Sequence, residues 1–340
     1  MPKRKPINLA LQGGGAHGAF TWGVLDRFLE RDIFDIKAIS STSAGSVNAI
    51  ALTQGLIEGG TEGARQKLEL FWHAMSEYSA QFALIMQTPF DYIMHPYLKA
   101  PFSFLMFSWM TSAFSPYQFN PFNYNPLKIV LEKMIDIERI KRESPLKLFI
   151  CATNVRSGKI RIFSEDDVSV NAVLASACLP KLFQAVEVDN EYYWDGGYLG
   201  NPAIFPLIYN SKANDILILH TVPIVRKQIP TNVMDTEARL REISFNSSLM
   251  REMRAVAFVT KLIDEHWIKD EYQEKLKRLY LHCIRADNAL LEFPMASIYI
   301  PEWNFINQLK ELGRKAADEW LAKHFDSIGK KDTVDFDEWL

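Results

Sequence analysis

Apolar positions along the chain repeat with two different periods, and their alternation outlines the fold. Short, nearly continuous apolar runs occur at Ile7 to Gln12, Ile36 to Ser40, Leu146 to Thr153, Asp215 to Thr221 and Leu279 to Ile284. Runs of this length and density are those of strands buried on both faces. Between them the spacing becomes helical: Phe20, Val24, Leu25, Phe28 and Leu29 recur within Ala19 to Glu30. The same reading predicts helices over Ala44 to Leu52, Gly63 to Tyr78, Asn125 to Ile137, Val168 to Cys178, Thr236 to His266 and Pro301 to Phe325. Gly158 to Ser164 alternates as one arm of a hairpin, and Ala185 to Val188 and Glu191 to Trp194 bracket an Asp189-Asn190 turn. Strands alternating with helices predict an α/β fold with a mostly parallel central sheet.

One stretch breaks the rhythm. Between Gln81 and Phe122 stand Phe82, Phe90, Phe102, Phe104, Phe107, Phe114, Phe119 and Phe122, with Met86, Met94, Met106, Trp109 and Met110 among them. Prolines at 89, 96, 101, 116 and 121 rule out one long helix, and no charged residue occurs from Ala100 to Leu127. Two compatible readings stand. The insertion, about 80–125, fills core with loop-rich apolar structure, or it caps a site and holds acyl chains or touches a lipid surface. With no repeats and no clear linker, the expected organisation is an α/β region over 1–225. A mainly helical C-terminal extension over 226–340 packs on the same domain.

Composition narrows the function classes. The 340 residues are 48% hydrophobic with a formal charge of −3, which gives no support for a nucleic-acid partner. Cys151, Cys178 and Cys283 are odd in number and lack metal-ligand spacing, so buried thiols in a reducing compartment are expected. The basic start, Met-Pro-Lys-Arg-Lys-Pro, runs into a strand and glycines rather than a signal-peptide core. No stretch offers ~20 continuous apolar residues. The expectation is a cytoplasmic protein, peripheral to membranes if it meets them, with no metal and no cofactor.

Candidate chemistry gathers at three turns. Ile39-Ser40-Ser41-Thr42-Ser43-Ala44-Gly45 passes from strand to helix through small residues, the pattern of a nucleophile elbow. It leaves the Ser43 hydroxyl at a helix N-terminus, where amide dipoles favour developing negative charge. Upstream, Gly13-Gly14-Gly15-Ala16-His17-Gly18 bares backbone N–H groups after the first strand. Its glycine spacing satisfies a dinucleotide fingerprint, but Ser40-Ser41-Thr42-Ser43 stands where the ribose-binding acid belongs, and that reading fails. Both turns close parallel strands, where α/β sheets carry their sites, so the glycine amides can serve as an oxyanion hole for Ser43. The third turn, Asp195-Gly196-Gly197, ends a strand with a carboxylate on a short, backbone-rich bend; an ordinary glycine turn is the alternative.

In this order, the glycine loop, Ser41-Thr42-Ser43-Ala44-Gly45 and Asp195-Gly196-Gly197 resemble the patatin-like phospholipase family, as does the block Ala175-Ser176-Ala177-Cys178-Leu179-Pro180. The resemblance covers roughly Ile7 to Pro206. It implies a three-layer α/β/α fold and a Ser-Asp dyad, with Ser43 as nucleophile and Asp195 as base. The backbone of Gly13, Gly14, Gly15 and Ala44 would form the oxyanion hole, with His17 and Gly18 in support. It departs from the family at Ser41, where the elbow usually opens with glycine, and at His17, where Arg or Lys is usual. A Ser43–Asp195–His220 triad is the rival mechanism, since His220 ends a strand. The expected substrate is a lipid, phospholipid or lysophospholipid first, with another apolar ester such as an acylglycerol or storage polyester next. The alternative from a different class is a non-catalytic lipid-binding protein that keeps the fold.

Overall fold

The computed structural model describes residues 4–86, 102–227, 229–269, 272, 276–291, 293, 295–299 and 301–339. Its strands are β1 (Lys5–Leu11), β2 (Phe34–Thr42), β3 (Lys147–Asn154), β4 (Ile160–Ser164), β5 (Val186–Val188), β6 (Glu191–Asp195), β7 (Asp215–His220) and β8 (Tyr280–Arg285). Around them lie α1 (Gly18–Arg31), α2 (Ala44–Met86), α3 (Phe102–Ala113), α4 (Pro116–Phe119), α5 (Pro126–Met134) and α6 (Ile137–Glu143). The chain continues through α7 (Val170–Ser176), α8 (Phe205–Asn210), α9 (Val233–Asp264), α10 (Asp287–Leu290) and α11 (Trp303–His324).

The sheet order is β5-β6-β3-β2-β1-β7-β8, with β4 also paired to β3. The β3-β2-β1-β7-β8 block is parallel, and β4, β5 and β6 join antiparallel. Because strand side chains alternate between faces, the apolar runs divide cleanly. Ile7, Leu9, Leu11, Leu217, Leu219 and Ile284 face a core shared with α1, α2 and α11. Ala10, Ile216, Ile218 and Leu281 face a second core with α8 and α9. Both faces are covered, which is why the strands read as continuous apolar runs rather than alternating ones. The architecture is the mostly parallel three-layer α/β/α sheet that the sequence predicts.

Two helix boundaries differ from expectation for local reasons. The helix expected over Asn125 to Ile137 ends at Met134, because Asp136 accepts the Arg139 N–H at 3.0 Å and starts α6. Within α2, Gly59 and Gly60 leave helical geometry, so its two halves correspond to the two helices expected there. In the Phe-rich insertion, α3 and α4 are short helices; Pro89, Phe90, Met94, Pro96 and Pro101 lie outside the described residues.

The C-terminal region is not helical alone: β8 extends the sheet beside β7. Its last long helix crosses α1 at backbone contact. A Cβ on Gly313 would lie 2.1 Å from Phe20 O, and one on Gly23 would meet Lys310 O, so only glycine fits. Buried Asp26 of α1 takes Arg65 from α2 at 2.9 Å and Arg314 from α11, which ties three helices through one carboxylate. No helix among the described residues is long and apolar enough to cross a membrane.

Candidate active site

The elbow is built by close packing. β2 stops at Thr42, Ser43 takes a left-handed conformation with φ +54°, and α2 starts at Ala44. Non-glycine residues rarely hold such a φ unless their surroundings enforce it. Here the surroundings are tight. A Cβ on Gly45 would sit 2.3 Å from Leu11 O, one on Gly18 2.7 Å from Ala44 Cβ, and one on Gly13 2.6 Å from Ser43 Cβ. The Ser43 N–H donates to Ser176 Oγ at 2.9 Å, and Ser176 also bonds Ser46 Oγ at 3.0 Å. The serine-rich end of β2 is a fastening. Ser40 donates to Ala203 O and Thr42 to Gly200 O, drawing the chain after the Asp-Gly-Gly turn onto the elbow. Ser41 is fully buried with its hydroxyl toward Phe149 O, so serine is accommodated where the family pattern has glycine.

The ladder brings Asp195 to Ser43. β3 pairs with β4 along residues 149–153, so β2 (147–151) and β6 (152–154) must share its other edge. On that edge Thr42 lies opposite Cys151, and Asp195 lies opposite the next residue, Ala152. The elbow leaves the edge where β6 takes it up. Asp195 is held through its backbone by Cys178 O (2.8 Å) and the Thr153 hydroxyl (2.8 Å), and its Oδ1 accepts the Gly197 N–H at 2.7 Å. Its Oδ2 is buried and makes no aligned hydrogen bond among the described residues. Burial pushes the carboxyl from 3.8 up to about 7, against the Gly197 N–H, the Ser43 hydroxyl and the Arg241 charge, which lower it. Hydroxyl and carboxylate thus interact without an aligned bond.

The glycine loop supplies fewer donors than its sequence promises. The Gly13 N–H, expected in the oxyanion hole, donates instead to Asn201 Oδ1 at 2.8 Å. The N–H groups of Gly14, Gly15 and Ala44 have no acceptor among the described residues. Gln12 anchors the loop from below, accepting the Thr221 and Val222 N–H groups at 2.7 and 2.8 Å. His17 is buried, with Nε2 2.8 Å from Ser297 Oγ. Burial, then the charges of Arg226 and Arg241, lower its pKa from 6.5 to about 4, so the imidazole is neutral near pH 7.

Ser43, Asp195, Gly14, Gly15 and His17 line one cavity of about 70 Å³. Much of its remaining wall comes from residues that carried no motif, among them Arg226, Arg241, Glu242, Phe245, Ile298 and Tyr299. Phe245 presses on Gly197, whose Cβ would meet its ring at 2.6 Å. A larger depression of about 830 Å³ opens among Lys37, Lys147, Asn214 and Tyr280, at the opposite ends of the parallel strands. Sheets of this type carry sites at strand C-termini, so the smaller cavity is the candidate. His220 does not line it. Its Nε2 bonds Asn246 at 3.0 Å, its ring meets Trp339 edge-on, and burial lowers its pKa to about 4. The triad reading therefore has no geometry to rest on. Among the described residues, no three His, Cys, Asp or Glu side chains gather as a metal site.

A family model described as patatin-like phospholipase matches residues 9–208. No curated protein matches the chain. Solved structures similar to it include VipD from Legionella pneumophila, at 16% identity over 91% of this chain and 67% of that one, with a TM-score of 0.34. The type III effector protein ExoU is 15% identical over 94% of this chain and 53% of its own, with a TM-score of 0.35. The ExoU–SpcU complex from Pseudomonas aeruginosa gives 15% identity over 96% and 78%, also at 0.35. The chain spans about half the length of the ExoU chain that it matches over 53%.

Proposed function

The chain belongs to the patatin-like phospholipase family, and from that premise we propose that it hydrolyses acyl esters of lipids through a Ser43–Asp195 dyad. The observation that carries this reading is the pairing of a strained elbow serine with a fully buried carboxylate in one cavity. Ser43 Oγ attacks the ester carbonyl carbon while Asp195 Oδ2 takes its proton. The tetrahedral oxyanion forms against the N–H groups of Gly14, Gly15 and Ala44, at the start of α2. Collapse expels the alcohol, which takes the proton back from Asp195. Water then attacks the acyl-serine with the same aspartate as base. A carboxyl raised to about 7 is a better proton acceptor than an ordinary aspartate, which lets the dyad work without histidine.

The substrate class is a lipid, met at a membrane surface from the cytoplasmic side. The 80–125 insertion offers apolar side chains to a lipid surface: Phe122 is 94% exposed, Trp109 60%, and Met106, Phe114 and Tyr117 are also exposed. The test compares wild type, Ser43→Ala and Asp195→Asn for fluorophosphonate labelling and for turnover of a short ester and phospholipid vesicles. Labelling and turnover in wild type, with Ser43→Ala unlabelled and both variants inactive, are expected. A wild type that binds vesicles but neither labels nor hydrolyses would replace the enzyme with the lipid-binding protein.

A further inference from the structure

The cavity beside Ser43 holds an arginine that no carboxylate among the described residues pairs. Two arginines line the cavity from one side, Arg226 from the segment after β7 and Arg241 from α9, and Arg239 of α9 stands behind them on Glu242. Glu242, itself buried, pairs with both Arg226 and Arg239, at 2.5 and 3.0 Å. Arg241 has no carboxylate partner among the described residues. Its guanidinium instead bonds the Tyr299 hydroxyl and lies 5.2 Å over that ring. Both residues line the cavity with Ser43 and Asp195.

Of the remaining titratable groups, only Asp195, when ionised, faces Arg241 with a negative charge, and it makes no ion pair with it among the described residues. His17 is neutral near pH 7, and the Tyr198 phenol, pushed up to about 12 mainly by burial, stays protonated. The Arg241 charge reaches into the site: it lowers both His17 and Asp195. A planar guanidinium fixed on an aromatic face, with donors still free, is suited to the paired oxygens of a phosphate.

We propose that Arg241, braced by Tyr299, binds the phosphodiester of a glycerophospholipid whose acyl ester reaches Ser43, and so selects phosphate-bearing over neutral acyl esters. This inference rests on the ester-hydrolase reading above. It assigns substrate selection to a residue outside the 9–208 family match.

The experiment measures kcat/KM for phosphatidylglycerol and for diacylglycerol of the same acyl chains in mixed micelles. Wild type, Arg241→Ala and Arg241→Lys are compared at pH 9, where Asp195 is ionised in each. In Arg241→Ala the phospholipid-to-diacylglycerol ratio is expected to fall on the order of 10- to 100-fold, the worth of a charge-assisted hydrogen-bond pair. Arg241→Lys should recover part of it. A second readout separates recognition from mere support: without the Arg241 charge, the rising limb of the pH–rate profile should move to higher pH. Glycerol phosphate should inhibit wild-type diacylglycerol turnover competitively, and Arg241→Ala should lose that inhibition.

An equal fall on both substrates, or an unchanged ratio, would overturn the proposal while leaving the hydrolase intact. Loss of glycerol phosphate inhibition with an unchanged ratio would overturn it too, marking a free-anion site rather than a headgroup site. Wild type inert toward both lipids would instead overturn the hydrolase reading, and this inference with it.

Discussion

Asp195→Asn should make the protein more stable as it makes it inactive, and by an amount that depends on pH. Folding raises this carboxyl from 3.8 to about 7, roughly three pKa units at 1.36 kcal/mol each, or ~4 kcal/mol. The sign follows from proton binding. Below pH 4 both folded and unfolded states carry the proton, and the site costs nothing. Between about pH 4 and 7 the folded state holds the proton more tightly, so stability falls as pH rises. Above about 7 the full cost of burying the charge is present. Asparagine has no charge to bury and can keep the Gly197 N–H bond that Oδ1 now accepts. The variant's advantage should therefore be ~2 kcal/mol at pH 5 and ~4 kcal/mol at pH 8.5. For 340 residues at about 2.1 cal/mol/K each, a difference of ~2–3 kcal/mol is roughly 3–4 °C. Calorimetry of wild type and variant across pH 5 to 8.5 measures it, since subtraction removes every group that they share. An advantage that stays flat or shrinks as pH rises would refute the raised pKa and the dyad chemistry that uses it.

Three further outcomes follow from the site. The kcat/KM profile on a short ester should rise with an apparent pKa near 7 and show no inflection from His17 above pH 5; a plateau from pH 5 to 8 would contradict Asp195 as the base. Gly13→Ala puts a methyl 2.6 Å from Ser43 Cβ, so kcat should fall about 100-fold or more with circular dichroism unchanged; full activity would show that the elbow can shift. His17→Arg adds a permanent charge near Arg226 and Arg241 in a buried site and should cost roughly 3–5 kcal/mol in denaturant melts, whereas His17→Gln should be tolerated; equal stability of the two would refute the electrostatic account of His17.

The elements were legible because their causes are local. Apolar runs gave the parallel strands, the Asn-containing turn gave β5 and β6, and small residues gave the elbow. The motif order also put Ser43 and Asp195 in one site, although what joins them is a non-local fact: β6 takes over the β3 edge where β2 leaves it. Ser176 stood in a recognisable block, and its hydroxyl proves to hold the Ser43 N–H. Asn201 had no such mark, so the capture of the Gly13 N–H was invisible and one amide too many was assigned to the oxyanion hole. Arg241, Phe245 and Tyr299 were harder still. In sequence, Arg241 is one charge on a long amphipathic helix, and only the fold brings it against residues about 50 to 230 positions away. His220 offered a rival for the converse reason: a strand end is where catalytic residues sit, but this ring packs on Asn246 and Trp339, as a structural strand-end histidine does.

The first helix and the last are in contact at Gly23 and Gly313, and the Asp26–Arg314 pair within that contact spans 288 residues. At about 5–20 residues per second, a ribosome needs roughly 15–60 s to make that length. For that interval α1 has only α2 as a partner helix, and the elbow serine has neither Arg241 nor Tyr299 opposite it until each is made. The nascent chain thus holds its elbow turn early and its finished cavity last. A chain stopped at 208, where the family match ends, would be halted in that state, with one side of α1 uncovered and β7 not yet made.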